Sequence, residues 1–554
     1  MKIRFHLSLL TAVLEIAVLA NGLLAQNSQP FLSVTVKNTE TIAKNLPEIA
    51  QASKDLQGSL GAAMLQSYVD QDIIKDAIDL KRPVGLFVFS IGKKEPVGAL
   101  AVPVKDLDKT FKLLPAPMKA ERVSDRNWKI VKDAKALAWV YCLRDWCFLT
   151  QFEVKPSAEV DAVAEDVLKK LNEETVQMDL GVTLYVNAIP EKDRKEALGK
   201  FISCAKKEIE KGKRCSGVAL TDFFNSELDK LAASAERNAY ESPISKISSG
   251  YVWNSEERLL SCVTSFTGDE AKHQIQDLSK AVRNTETAFA NFGTEGSLAS
   301  FQFNAQIEKL SDPIFEKLIG MRWEHAKKKI AKHHDSKTAE EIVKFIEGNG
   351  ELFKKTRLNP DVETAGALFA GEKELTVVFA RNVPDGYALE TEFRKVVNWV
   401  EEKKAEKIAK RTENAKRTED GEFHIFQITF IPKKPLPEKL APIFDGKVPA
   451  CVIFAPNAVY SAMGTNAVEK ALECAKNAKK EETSVWTSRI SAQGFIQAAC
   501  QYGHVAEGLE EKLKKVGEAE ISTKVEGQSN GVRIVTEIPA KVLEMLVLAR
   551  DAKK

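Results

Sequence analysis

The sequence predicts an α+β protein of two similar halves, each a mostly antiparallel or mixed sheet of hairpins with helices packed on it. Three observations lead there. Short runs of alternating apolar and polar residues come in pairs joined by turn residues, which is the pattern of hairpins. Helical runs separate those hairpins and do not alternate one for one with single strands, which disfavours a parallel sheet. The same order of elements is also written twice: Phe31–Lys37 alternates and gives way to a helical run, and Leu298–Asn304 does so again 267 residues later. Each copy must then bury apolar layers of its own.

Residues 1–25 read as a secretory signal. Lys2 and Arg4 give a basic start, Leu7 to Leu19 is mostly apolar, and small residues allow cleavage after Gly22 or Ala25. Glu15 interrupts the apolar run, leaving stretches too short for a retained span, and no later segment approaches spanning length. The expectation is a secreted or periplasmic chain with no membrane span after signal removal, divided into halves at 26–295 and 296–554. That length exceeds what one core organises. The whole chain carries a formal charge of +2, with 80 basic and 78 acidic residues. So balanced a surface offers no field for nucleic acid.

Element by element, Val84–Ser90 and Val97–Val104 form a hairpin around Gly92-Lys-Lys-Glu95, followed by a helix over Asp106–Leu114. The later counterparts are Ala365–Ala370, Gly371-Glu-Lys-Glu374 and Leu375–Ala380, before a helix from Tyr387. Glycine suits both turns because tight hairpins use positive φ. Trp139–Cys142 with Cys147–Gln151 corresponds to Val452–Ala455 with Val459–Met463, and each leads to a helix, Ala158–Leu171 or Asn466–Asn477. Asn466-x-x-Glu469 has the form of a capping box. Val182–Ala188 before Glu191–Glu210 matches Val485–Ile490 before Gln493–Cys500, and Val263–Phe266 matches Val535–Ile538 behind an Asn530-Gly531 turn. Extra material falls at Ala205–Ile247, Glu406–Gly421 and Pro432–Lys447. Two charged helices are expected, Pro313–Gly348 and Glu390–Arg417, the second losing its apolar stripe halfway.

Eight cysteines is an even number that an oxidising compartment permits to pair. Cys142 and Cys147 are one candidate disulfide, since a hairpin across Leu143–Trp146 sets both side chains on one face. Cys204 and Cys215 are a second, across the end of a Lys-rich helix. The alternative for all four is an ordinary buried thiol.

Candidate chemistry is sparse. His325, His333 and His334 cluster in sequence, but on a continuous helix His333 lies about 80° and His334 about 180° around from His325. Three such rings cannot meet one ion, so no metal is expected. Gly-x-Ser-x-Gly is absent, and the Ser-x-x-Lys matches at Ser90–Lys93 and Ser203–Lys206 stand in a turn and inside a helix, not at a helix start. Neither phosphate-loop nor dinucleotide glycine patterns occur; Gly464-Thr-Asn466 reads as a turn before a helix, with an anion at its N–H groups as the alternative. No cofactor is expected and no spacing singles out two acid–base carboxylates. Among the tryptophans, Trp139 and Trp146 bracket a hairpin where the later copy has valines, but alternation favours packing over a sugar platform.

Arg82-Pro-Val-Gly-Leu-Phe-Val-Phe89, the stretch Val97–Leu107 and Ala458-Val-Tyr-Ser-Ala-Met-Gly464, behind a signal sequence, give the chain its familiar look. It resembles large exported bacterial proteins of the planctomycete type, a family of unknown function. The resemblance implies export and supplies no catalytic residues. The reading is an exported non-catalytic protein with a binding, scaffolding or envelope-associated role and a protein or envelope-polymer partner. Its rivals are a secreted hydrolase with a site in copy-specific loops and a carbohydrate-binding module.

Overall fold

A computed structural model describes residues 29–53, 69–89, 97–216, 244–268, 285–293, 295–306, 361–371, 373–402, 412–432, 440–501 and 519–551, with isolated residues between these stretches. Backbone contacts divide the chain into two compact units. The first gathers Met1–Phe201, Ala232–Lys272 and Val535–Val547; the second gathers Ile202–Leu231, His273–Ile534 and Leu548–Lys554. Helices and large antiparallel sheets together make the fold α+β. Among the described residues no helix is long and apolar enough to cross a membrane.

In chain order the first stretch holds β1 (Pro30–Val36), α1 (Thr39–Ser53), α2 (Asp72–Ala77), β2 (Val84–Phe89), β3 (Val97–Pro103) and α3 (Leu107–Lys112). There follow β4 (Lys119–Ser124), β5 (Asn127–Lys132), β6 (Lys135–Leu143), β7 (Trp146–Thr150), α4 (Ala158–Gln177), β8 (Leu180–Tyr185), α5 (Glu191–Ser216), β9 (Ile244–Asn254) and β10 (Leu259–Gly268). The strands pair in the order β10–β9–β8–β1–β2–β3–β7–β6–β5–β4, antiparallel throughout.

Helix α4 covers one face of this sheet. Ser157 caps it by accepting from the Val160 N–H. Its apolar stripe of Ala164, Val167, Leu168 and Leu171 packs on Phe87, Phe89, Ala101 and Phe148. Each such large side chain contributes roughly 1.5–3 kcal/mol by leaving water. Farther along the helix the sheet floor changes to small residues. Gly85, Thr35, Gly181 and Gly250 stand opposite one another across four strands, and Ser33, Thr183, Ser248 and Ser265 form the next row. On the other face, Val104, Ile130, Val140 and Cys147 pack with Leu107 and Phe111 from α3.

The second stretch holds β11 (Thr285–Ala290), β12 (Ala299–Gln306), β13 (Asp361–Gly371), β14 (Glu374–Asn382), α6 (Gly386–Glu402), β15 (Thr412–Asp420) and β16 (Phe423–Phe430). Next come α7 (Ala441–Phe444), β17 (Val448–Ala455), β18 (Ala458–Gly464), α8 (Ala467–Asn477), β19 (Lys479–Thr483), β20 (Trp486–Ser491), α9 (Ala492–Gln501) and β21 (Glu520–Gln528). The chain closes with β22 (Gly531–Pro539) and α10 (Ala540–Asp551). Pairing runs β21–β20–β12–β13–β14–β18–β17–β16–β15, again antiparallel, while β11 pairs separately with β19. Ala467, Ala471 and Cys474 of α8 press onto Ala365, Phe369, Val378, Ile453 and Tyr460. Alanines on both sides let the backbones approach closely.

Three expectations need correction. Of the helix expected over Glu390–Arg417 the described part runs to Glu402, and Thr412–Asp420 is a strand, held by its ladder with β16 despite having almost no apolar residues. Asn466 does not cap α8 with its side chain; that amide donates instead to Glu374 at 3.2 Å. The helix bearing Cys204 continues unbroken to Ser216, so Cys215 lies eleven residues on along the same axis. At 1.5 Å per residue the two backbones are about 16 Å apart, beyond a disulfide's reach. The leader at 1–25, the Gly92–Glu95 turn and His325, His333 and His334 lie outside the described residues.

The small-residue floor yields a test. A methyl on Gly250 would stand 2.3 Å from the Leu180 carbonyl oxygen and 2.9 Å from Gly181 Cα, whereas one on Gly181 meets the Met178 side chain at 3.3 Å and the Thr35 hydroxyl at 3.4 Å. Gly250→Ala is expected to cost about 1–3 kcal/mol in urea denaturation and Gly181→Ala under about 1 kcal/mol. Equal losses for the two would contradict this packing.

Candidate functional site

The chemically densest site of the second unit begins at the start of α6. Asp385 accepts the Ala388 N–H at 2.9 Å, capping the helix. Gly386 donates its N–H to the Pro456 carbonyl at 2.9 Å, and a Cβ there would fall 1.9 Å from the Ala455 carbonyl oxygen. Only glycine lets the helix start so close to the β17–β18 turn. One turn later that docking sets Glu390 above the face of β15 and β16 that carries Arg417, His424 and Phe426.

Glu390 is 4% exposed. Its Oε1 accepts from Arg394 Nε at 2.9 Å and Nη2 at 2.5 Å, and from Arg417 Nε at 2.9 Å. Its Oε2 meets His424 Nδ1. Burial alone would raise the carboxyl's pKa, but hydrogen bonds from His424, Arg417 and Arg394 outweigh it and hold the group at about 2. The Tyr387 ring stacks on His424 with centroids 4.5 Å apart and donates its hydroxyl to the Glu422 carbonyl. Phe393 packs against Phe426 and Phe454 behind the charges. A carboxylate on Nδ1 does orient an imidazole in the manner acid–base catalysis uses. Here, however, two guanidiniums share the same carboxylate, and the whole set ties α6 to two strands. The arrangement is a clamp.

A second buried carboxylate lies in the first unit. Glu174 of α4 is 2% exposed, accepts the Ser33 hydroxyl at 2.7 Å, and takes the Tyr185 hydroxyl on its other oxygen. Burial, then the charge of Glu174, push the Tyr185 phenol far above its ordinary range. Lys170 and Lys246 approach the Tyr185 ring at 5.6 and 5.9 Å. These groups again join a helix to its sheet.

A different kind of feature covers the sheet face of the second unit opposite α8. Ile521, Ile490, Ala299, Leu368, Val377, Met463, Ala450 and Ile428 stand in one row across eight strands. None of the eight is buried, and Ile490 and Met463 are 41% and 51% exposed. Phe379, 50% exposed, stands in the neighbouring row, where Phe301 stacks on Trp486 at 5.4 Å. A cleft of about 400 Å³ has Asn291, Glu473, Cys474, Lys476 and Lys479 in its lining. Burial pushes the Cys474 thiol up to about 12, which leaves it protonated and a poor nucleophile.

Cys142 and Cys147 face each other across β6 and β7, and both are thiols. Cys204 is exposed on α5. Ser203 is exposed in mid-helix, and Lys206 is engaged by Asp229 at 2.5 Å, so that Ser-x-x-Lys makes no site. Gly464, at φ +144°, permits close backbone approach, since its Cβ would lie 2.2 Å from the Leu375 oxygen. The Thr465 and Asn466 N–H groups donate to the Leu375 oxygen and the Thr376 hydroxyl. Trp146 and Trp253 are buried, Trp146 beneath Arg82. Among the described residues no group of three or more His, Cys, Asp and Glu is placed to hold a metal ion. Sequence reasoning missed Glu390, Arg394, Arg417 and His424 as a set; the alternation of Phe423–Phe430 around His424 was the available signal.

No family model matches the chain, and no curated protein or solved structure matches it either.

Because the folded-state pKa of Glu390 lies below the ordinary 4.5, the clamp contributes stability above about pH 4.5 and loses it as pH falls toward 2. Glu390→Gln is expected to destabilise the second unit by about 3 kcal/mol at pH 7. It should also flatten the acid limb of a stability-against-pH curve between those values. An unchanged acid limb would remove Glu390 from this role.

Proposed function

We propose that this chain is an exported, non-catalytic protein with a binding or scaffolding role, and that its second unit meets a protein partner through the apolar ridge. The ridge carries the reading. Keeping apolar area wet costs roughly 25 cal/mol per Å², and contiguous patches of this kind are characteristic of interaction surfaces. A partner with an apolar face of its own suits eight uncharged positions in a row, whereas a polyanion does not.

Export rests on the leader at 1–25 and on the resemblance to planctomycete-type exported proteins. The two-halves reading, with copies at 26–295 and 296–554, is supported by the pairing orders. β9–β8–β1–β2–β3–β7–β6–β5–β4 reads strand for strand against β21–β20–β12–β13–β14–β18–β17–β16–β15. The helices after β3, β7 and β8 likewise answer those after β14, β18 and β20. So many coincidences of order favour duplication over convergence.

The test is a photo-crosslinking residue in place of Phe379 in the full chain in its native cells, with the exposed Val123 of the first unit as control site. A discrete protein adduct is expected from position 379, absent from position 123 and lost when Met463→Ser is added. Met463→Ser itself should change stability by less than about 0.5 kcal/mol. No adduct from 379, or the same adduct from both sites, would overturn the assignment.

A further inference from the structure

We propose that Cys142 and Cys147 form a reversible cross-strand disulfide at the tip of the β6–β7 hairpin, making this pair a redox modification site. Leu143 and Trp146 flank the two-residue turn Arg144–Asp145, and Cys142 stands directly opposite Cys147 one pair further in. The Cys142 N–H donates to the Arg126 carbonyl at 2.9 Å, on the side away from β7. The two cysteines therefore face each other as a pair without mutual backbone hydrogen bonds. Such pairs hold their α-carbons roughly 4.5 Å apart with the side chains drawn together, inside the roughly 4.4–6.8 Å that a disulfide spans. Among the described residues no other cysteine faces a cysteine across a ladder.

The surroundings favour the bond. Both side chains belong to the layer of Val104, Ile130, Val140, Phe111 and Trp128, so joining them places a compact apolar link among apolar groups. Cys142 is half-buried and Cys147 buried. A hydrogen bond with Cys142, and then burial, push the Cys147 thiol far up, so the attacking sulfur is that of Cys142.

The step balances as thiol–disulfide exchange with a small-molecule disulfide, RSSR. The Cys142 thiolate attacks one sulfur, the S–S bond breaks, and RS⁻ leaves and takes up the proton that Cys142 gave away. Cys147 then loses its proton and attacks Cys142 Sγ in the mixed disulfide, expelling the second RS⁻. Two cysteine thiols are oxidised and one external disulfide is reduced to two thiols.

The full chain is treated with oxidised glutathione, alkylated and digested with trypsin. Cleavage after Arg144 falls between the two cysteines, so the bridge would join the peptide ending at Arg144 to the one beginning at Asp145 until dithiothreitol separates them. That linked pair is expected as the dominant disulfide species, with an unfolding midpoint about 4 °C above that of reduced protein. Cys147→Ala should stop at a glutathione adduct on Cys142. Two alkylated thiols after oxidation, a bond from either residue to another cysteine, or a stable adduct on Cys142 in the unsubstituted chain would overturn the proposal.

Discussion

Alternation along antiparallel strands gives each of these sheets two unlike faces, and the rest of the structure follows from what packs on each of them. In the second unit one set of positions, Ala365, Val378, Ile453 and Tyr460 among them, lies under α8 and is buried. The residues between them face the other way. Because successive side chains must point to opposite sides, a strand cannot bury Val378 without turning Val377 and Phe379 outward. The wet ridge is thus the reverse of the core, set by the same register.

Where helices meet the sheets, each unit resolves the cost of a buried carboxylate differently. Over the floor of glycine, serine and threonine, α4 comes close enough for Ser33 and Tyr185 to donate to Glu174. Helix α6 rests on larger aromatics, Phe426 and Phe454, and the long arm of Arg417 and the ring of His424 reach across to Glu390, which Arg394 joins from the same helix. Arginine suits that position because its stem covers apolar rings while the guanidinium keeps contact with water. The Arg394 guanidinium indeed stands 5.9 Å from the Phe426 ring. Both carboxylates are satisfied on both oxygens, as buried polar groups must be.

Much of the fold was legible because apolar strands announce themselves. The runs around Phe87, Val97, Phe369, Val378 and Ile453 all become strands near their expected limits. What escaped were the elements whose stability comes from a neighbour. Thr412–Asp420 has the composition of a charged helix and is a strand only because β16 offers it a ladder; no local pattern carries that information. The clamp escaped with it, since Arg417 reaches Glu390 only after that strand has paired. The hairpin bearing Cys142 and Cys147 was legible because its register follows from a local turn. The helix through Cys204 and Cys215 was misjudged because its terminus was placed too early.

The same charged strand has a consequence for life in a crowded solution. β15 ends the described pairing order of the second unit, and β4, Lys-Ala-Glu-Arg-Val-Ser, ends that of the first. An outermost strand offers unpaired amides and carbonyls to any neighbour in extended conformation, and lysine, arginine and glutamate side chains along it discourage such docking. A chain with broad sheets and a partly exposed apolar ridge is at unusual risk of zipping onto its own kind. About half the residues of β4 and of β15 are charged, a composition that reads as protection against fibres at those two edges.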